Sequence, residues 1–367
     1  CSYYIPMLFM DRPAESLEEL FDREKELEQL QNAIDTRRLT LVVGMRRVGK
    51  TSGVKAGTHG RPRIYIDARA FEERSYISYA DLLEALRREL RRLLPIHRRL
   101  GELLAKVRGV SAAGVDVRFE VGRNSPSLSE LLQTLNDWAE ERGEKLLLII
   151  DEAQELVKLR GRQILPVLGC AYDNLKNLSL VLTGSKAGLL LRFLRLENPE
   201  SPLYGRYAER IEIRPFTRGQ ALEYLREGFR RAGVSVDDKL LEAAVDALDG
   251  VVGWLAYFGL NALRDPATAL DTTVERATEI ATAEFCNFVK YMGSRRYIAV
   301  AKLAALRGTR WSDAKRLLQA EEGRPISDSE VTKLLRNLAD YGFLEKQGEI
   351  YTVPDPILRR ALQYIQC

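Results

Sequence analysis

Residues 39–52 read LTLVVGMRRVGKTS, a near-continuous apolar run that passes into a glycine-bounded loop closing on Gly49-Lys50-Thr51. The run LTLVVG lacks the alternation of a half-exposed strand and predicts one buried on both faces of a parallel sheet. Gly44 to Thr51 fits the spacing G-x-x-x-x-G-K-[ST], and helix-compatible TSGVKAG follows. The glycines let the backbone curl so that successive N–H groups surround a β-phosphate, and the helix N-terminus adds positive potential. Lys50 is spaced to reach the β- and γ-phosphates, and the Thr51 hydroxyl to ligate Mg²⁺. Gly44, Met45, Arg46, Arg47, Val48, Gly49 and Ser52 join them as candidate nucleotide contacts. Arg46 and Arg47 add charge to a loop that is already electropositive. Contact with phosphate and pairing with acidic neighbours are both open for them.

A second motif points the same way. KLLLIIDEAQ (145–154) is a buried strand that ends in Asp151-Glu152. Asp151 is placed to hold Mg²⁺ through water, and Glu152, one residue on, to orient and polarise an attacking water. An acidic residue on the Mg²⁺ strand itself marks the branch of P-loop NTPases that inserts an extra strand between the two motifs. The expected sheet order is therefore 5-1-4-3-2. The fourth strand, LSLVLTGS (178–185), then lies between the motifs and brings Thr183 and Ser185 to the γ-phosphate side.

RIYIDAR (63–69) and RIEIRPF (210–216) supply the second and fifth strands, and strands alternate with helices, as a right-handed parallel α/β sheet requires. Asp22 precedes a helical pattern with Leu27, Leu30 and Ile34 on one face and is the expected N-cap. The excursion 70–144 carries a helix at 80–94, a strand-like GVDVRFEV (114–121) forming half of a hairpin, and a helix opened by the capping pattern Ser127-x-x-Glu130. From Thr217-x-x-Gln220 to about residue 290 the pattern is helical. Helices at about 295–306, 311–321 and 328–341 follow, then a ribbon about Gln347-Gly348 and the helical DPILRRAL. Three helices and a hairpin read as a winged helix. The predicted division is 1–216, an ATPase core with an N-terminal arm; 217–289, a helical lid; and 290–367, a winged-helix domain.

The chain has 367 residues, a net charge of +4 and 29% charged residues. That balance is weakly basic, short of a dedicated nucleic-acid binder. No apolar run approaches the roughly 20 residues that span a bilayer, so no membrane partner is expected. YYIPMLFM (3–10) is too short and lacks the basic flank of a signal peptide. Cys1, Cys170, Cys286 and Cys367 form no C-x-x-C pair, which favours thiols in a reducing cytoplasm. The excess of arginine over lysine hints at a thermophile, in which a disulfide is the alternative.

The stretches FDREKELEQL, GMRRVGKTS, LLLIIDEAQ, LVLTGSKAGLL, PLYGRYAERIEIRPF and LDGVVGWLAYFG occur in the order seen in the archaeal ATPase family. That family belongs to the signal-transduction ATPases with numerous domains, cousins of AAA+ proteins. The chain resembles it over residues 17–365. The resemblance implies that Arg23 binds nucleotide near the adenine or ribose and that Thr183 and Ser185 are sensors. It makes Arg206 of PLYGR an arginine responsive to γ-phosphate, acting in its own chain or across a subunit boundary. In the wider group a Gly-x-Pro on the lid closes over the base. Here the stretch is Gly250-Val251-Val252, without the proline, and Val252, Gly253 and Trp254 are the lid contacts to examine.

These readings together predict a cytoplasmic, Mg-dependent ATPase of slow turnover that binds ATP and ADP and acts as a molecular switch. Its catalytic set is Lys50, Asp151, Glu152, Ser185 and Arg206, with Thr51 and Asp151 at the metal. A protein partner and a nucleotide-dependent oligomer fit that reading. In the helix 328–341, Lys333 and Arg336 favour DNA while Asp328 and Glu330 oppose it, so DNA and a protein surface are both open as targets of the winged helix. The four arginines at 87, 88, 91 and 92 read as a solvated face paired within the helix, with an acidic partner as the alternative. Two further readings stand beside the switch: an origin-recognition-like, ATP-licensed DNA-binding protein, and a constitutive nucleotide-holding scaffold.

Overall fold

The structure, a computed structural model, describes residues 7–113 and 116–367. Cys1 and the first part of the arm lie outside the described residues. The strands are β1 (Leu39–Val43), β2 (Arg63–Asp67), β3 (Val110–Ala113), β4 (Asp116–Phe119), β5 (Leu146–Asp151), β6 (Leu178–Gly184) and β7 (Glu209–Glu212). Five of them form a parallel sheet in the order β2-β5-β6-β1-β7. Counting core strands only, this is the predicted 5-1-4-3-2. β1, β5 and β6 are buried along their whole length, as their unbroken apolar runs require. The register pairs Val43 with Gly184 and Asp67 with Asp151, so the motif-bearing strand ends meet on one edge of the sheet.

The excursion after β2 packs the apolar stripe Leu82, Leu83, Leu86 and Leu90 of helix Tyr79–Leu93 inward, and β3 and β4 form an antiparallel hairpin. The arginine face of that helix is paired: Arg87 and Arg88 with Glu84, Arg92 with Glu89, Arg91 with Asp116. Two expected caps differ. Helix Glu24–Thr36 begins after Arg23, while Asp22 takes a positive φ of 46° and does not cap it. Tertiary pull explains this, because the Arg23 side chain is drawn inward to the carbonyls of Val48 and Arg214. Ser127 stands at the N-cap of helix Leu128–Glu141, but its side chain makes no capping bond. Thr217 and Gln220 do close a reciprocal capping box.

Helices Arg218–Ala232, Asp238–Leu248, Val252–Ala262 and Ala269–Met292 form the lid. Helices Arg296–Arg307, Trp311–Glu322 and Asp328–Asp340 follow. With β8 (Thr309–Arg310), β9 (Glu345–Gln347) and β10 (Ile350–Thr352), in the order β8-β10-β9, they make the winged helix, which helix Pro356–Tyr364 closes. One hydrophobic core runs from Phe9 through the lid helices to Leu362. A disulfide joins Cys286 of the lid to Cys367, while Cys170 is a free, exposed thiol. The thiol reading therefore gives way to the alternative for that pair: 81 residues apart in sequence, the two cysteines are brought together by the packing of the last helix on Ala269–Met292.

The arm is part of this core. The Phe9 ring meets Phe229 and Tyr224 edge-on at 4.9 and 5.7 Å, and the Tyr224 hydroxyl donates to the Leu8 carbonyl at 3.1 Å. Gly228 and Gly259 leave the space the ring occupies, since a Cβ on either would overlap it. Gly259→Ala is therefore expected to cost about 1–3 kcal/mol through overpacking. A urea midpoint equal to the parent's would show that Phe9 is not seated between these helices.

Candidate nucleotide-binding site

The loop after β1 takes its shape from residues that only glycine satisfies. A Cβ on Gly44 would overlap the Ile213 carbonyl oxygen, and Gly49 holds φ 94° as the N-cap of helix Lys50–Gly57. Lys50 is buried, and its ammonium donates to the Met45 carbonyl at 2.7 Å, closing the loop on itself. Burial pulls its pKa down to about 8, against the raising influence of Glu152 and Asp151.

Asp151 is fully buried at the end of β5. It accepts from Thr51 Oγ1 at 2.8 Å, from the Tyr65 hydroxyl at 2.8 Å and from Thr183 Oγ1. Hydroxyl and carboxylate oxygens side by side are the hard donor set that suits Mg²⁺. Burial and Asp151 together push the Tyr65 phenol up, so it stays a donor. Glu152 follows in a left-handed conformation, φ 54°. Its carboxylate accepts from the Ser185 amide (2.9 Å), the Ser185 hydroxyl (2.7 Å) and Gln154 Nε2 (2.6 Å). Burial pushes Glu152 up, but the Lys50 charge and these donors outweigh it and hold the carboxyl below its ordinary range. An ionised carboxylate at this position can take a proton from a neighbouring water.

Lys50, Thr51, Glu152 and Ser185 open onto a cavity of about 880 Å³ between the phosphate loop, the arm and the lid, and Asp151 stands behind Thr51. It is lined by the polar groups of Arg46, Lys50, Thr51, Arg69, Glu152 and Ser185 and also by Phe21, Val252, Ala256, Tyr257 and Leu260. The volume and the mixture of cationic, polar and apolar lining residues fit a nucleoside polyphosphate. Arg23, Arg47, Val48, Gly49, Ser52 and Gly253 also line it.

The other predicted residues stand behind the wall or elsewhere. Gly44 and Met45 shape the loop, and Thr183 braces Asp151 and accepts from the Glu152 amide at 3.1 Å. Arg23 bonds to the Val48 carbonyl at 3.2 Å and stacks on Phe216, so it buttresses the loop as well as facing the cavity. Trp254 carries Arg47 over its ring at 4.3 Å instead of facing the cavity. Arg206 is not among the lining residues. It grips Asp173 with two bonds, 2.9 and 2.5 Å, and donates to the Pro202 carbonyl. Within its own chain, then, this arginine is held on helix Ile164–Asn174 by a carboxylate that the motif PLYGR gave no reason to expect.

Both phosphate-loop arginines pair with acids here. Arg46 reaches Glu72 at 2.8 Å and Glu284 at 2.9 Å, and Arg47 reaches Glu284 at 2.5 Å. Lys186 bridges Glu72 and Glu155 at 3.0 and 3.3 Å. Sequence reading missed Tyr65, Arg69, Glu72, Glu155, Lys186 and Glu284. Arg69 and Tyr65 had a signal, since Tyr65 lies in β2, which pairs with β5, and Arg69 follows its end. Glu284 had none, lying 237 residues from Arg47.

The family described as an ATPase domain predominantly from Archaea matches residues 20–258. The chain belongs to this family. A second match, to the C-terminal winged helix-turn-helix domain of MCM proteins, covers residues 292–353. Among solved structures, this ATPase is similar to the Walker-type ATPase PABY2304 of Pyrococcus abyssi. The two share 33% identity with a TM-score of 0.85, over 97% of this chain and 100% of that one. The Aeropyrum pernix ORC2 protein, in ADPNP-ADP complexes, matches at 13% identity and TM-score 0.58 over 97% and 96% of the chains, a likeness of fold. No curated protein sequence matches the chain. The chain is thus a Walker-type ATPase with a helical lid and a winged helix, and its family binds nucleotide. Among the described residues no helix is long and apolar enough to cross a membrane.

Proposed function

We propose that this ATPase is a nucleotide-driven switch in which a core (1–216) and lid (217–289) control the packing of a winged-helix domain (290–367). The observation that carries the reading is where the winged helix rests. Asp340 pairs with Arg192 at 2.6 Å, Gly188 packs against Asp340, and a Cβ on Gly342 would touch the Ser185 carbonyl at 3.4 Å. The segment that grips Glu152 through Ser185 is therefore the same one that seats the winged helix.

In this reading Lys50 and the loop amides hold the β- and γ-phosphates, and Thr51 and Asp151 are the residues that would hold Mg²⁺. The ion, when bound, neutralises charge between the phosphates. Glu152 orients a water and takes its proton, and Ser185 and Thr183 register the loss of the γ-phosphate. Phosphate release from Mg-ATP, even if slow, and its loss in Lys50→Ala protein test the reading. Tightly held ADP with no phosphate release would make the chain a nucleotide-holding scaffold. Arg206, held away from its own cavity, has its part in trans in a nucleotide-dependent oligomer. Mixing inactive Arg206→Ala and Lys50→Ala proteins should then restore activity, and a mixture as inactive as its parts rules that out.

The DNA-loading reading has one observation in its favour. Lys333 and Arg336 are exposed on helix Asp328–Asp340, beside an exposed wing that carries Lys346. DNA-shift assays at several salt concentrations decide it, because phosphate contacts give a steep salt slope.

A further inference from the structure

We propose that Arg46 and Glu284 form a charge latch by which the lid registers the third phosphate, with Arg46 as the side chain that changes partner. The inference rests on the switch reading above and names its moving contact. Arg46 belongs to the loop that cradles the phosphates, yet its guanidinium is spent on Glu72 and on Glu284 of helix Ala269–Met292. Arg47 adds a second bond to Glu284 and lies on Trp254, so the loop and the lid are pinned together by charge and by stacking. Backbone contact reinforces this: the Gly253 amide donates to the Arg47 carbonyl at 2.8 Å.

Arg46, Glu72 and Glu284 line the cavity with Lys50, Glu152 and Ser185, and so face the space a phosphate chain must enter. Four cations (Arg46, Arg47, Lys158, Lys186) are shared among three carboxylates (Glu72, Glu155, Glu284). Every carboxylate of the cluster is paired with at least one of these cations. A γ-phosphate disturbs this pairing by placing further negative charge beside Glu284 and Glu72. Arg46 then finds a stronger anion within reach, and Glu284 loses a partner as it gains a repelling neighbour.

Glu284 is well placed to pass this on. The next residue is Phe285, and Phe288 lies one turn further. Their rings meet Phe343 at 5.1 and 4.8 Å, and Phe288 meets Tyr341 at 4.9 Å. Cys286 on the same helix is bonded to Cys367. A shift of the helix at Glu284 therefore takes the winged helix with it. ADP, lacking the third phosphate, leaves the latch closed.

The test titrates the intact chain with Mg-ADP and with Mg-ATPγS, a slowly hydrolysed triphosphate. Arg46→Gln should weaken the triphosphate about tenfold and ADP by less than about threefold, and Arg46→Lys, which keeps the charge, should recover most of the loss. Glu284→Gln should tighten the triphosphate about tenfold, because it removes the competitor. Hydrogen exchange across 269–292 should be faster with the triphosphate than with ADP in the parent, and equal in Arg46→Gln protein. Parallel changes in both affinities, no change in either, or an exchange difference that survives in Arg46→Gln overturns the latch. Should the parent bind neither nucleotide, the switch reading itself fails and takes the latch with it.

Discussion

Lys50→Ala protein is expected to lose triphosphate affinity by roughly a hundredfold or more. The side chain is the cation that the loop motif aims at two phosphates. Charge-assisted hydrogen bonds contribute about 1.5–3 kcal/mol each, so two of them account for about 3 kcal/mol or more. The ammonium donates to the Met45 carbonyl, a bond that a phosphate can replace. A second variant separates this expected loss from misfolding. Because burial pulls the Lys50 pKa down to about 8, folding disfavours its charged form. At pH 7 the group is still protonated, so folding carries that cost, and a neutral residue of similar length relieves it. Lys50→Met should thus unfold at a midpoint no lower than the parent's while binding as poorly as Lys50→Ala. Near-parental affinity for a fluorescent ATP analogue in either variant would falsify the assignment of the loop.

Glu152→Gln should leave ATP affinity within about threefold and reduce turnover by about 10²–10⁴-fold. The amide keeps an acceptor for the Ser185 hydroxyl and amide but has no carboxylate with which to take a proton. The depressed pKa of Glu152 matters here, since it keeps the carboxylate ionised at neutral pH, against the direction in which burial alone would push it. A single-turnover measurement separates chemistry from product release. Survival of the parental rate would move the base to another carboxylate, of which Glu155 and Glu72 also line the cavity.

Features set by neighbours in sequence were legible in the chain. The phosphate loop, Asp151-Glu152 and the buried strands follow from local spacing, and the sheet order followed from where the acidic residue falls. The three helices and ribbon of the winged helix were likewise readable from periodicity and one Gln-Gly turn. Contacts between distant segments were not. Arg46 could be read as a phosphate ligand or as an ion-pair partner, and only the approach of helix Ala269–Met292 supplies Glu284. Asp22 has the chemistry of an N-cap, but the pull of two carbonyls on Arg23 moves the helix start past it. Arg206 was assigned by resemblance alone, and Asp173, on a helix with no motif, decides where its side chain lies. The Cys286–Cys367 bond, too, depends on the docking of the last helix, which cysteine spacing does not encode.

The central claim is that nucleotide state governs the seating of the winged helix on the Ser185–Arg192 segment. The most direct measurement is the distance between a spin label on Cys170, exposed on the core, and one on Arg336→Cys, exposed on the winged helix, with Cys1 replaced by serine. Glu152→Gln protein traps the ATP state for the purpose. The ligand-free and ADP-bound proteins should share one narrow distribution, and the ATP-trapped protein should give a second, displaced distribution. A single distribution in all three states, in protein that demonstrably binds both nucleotides, would contradict the switch.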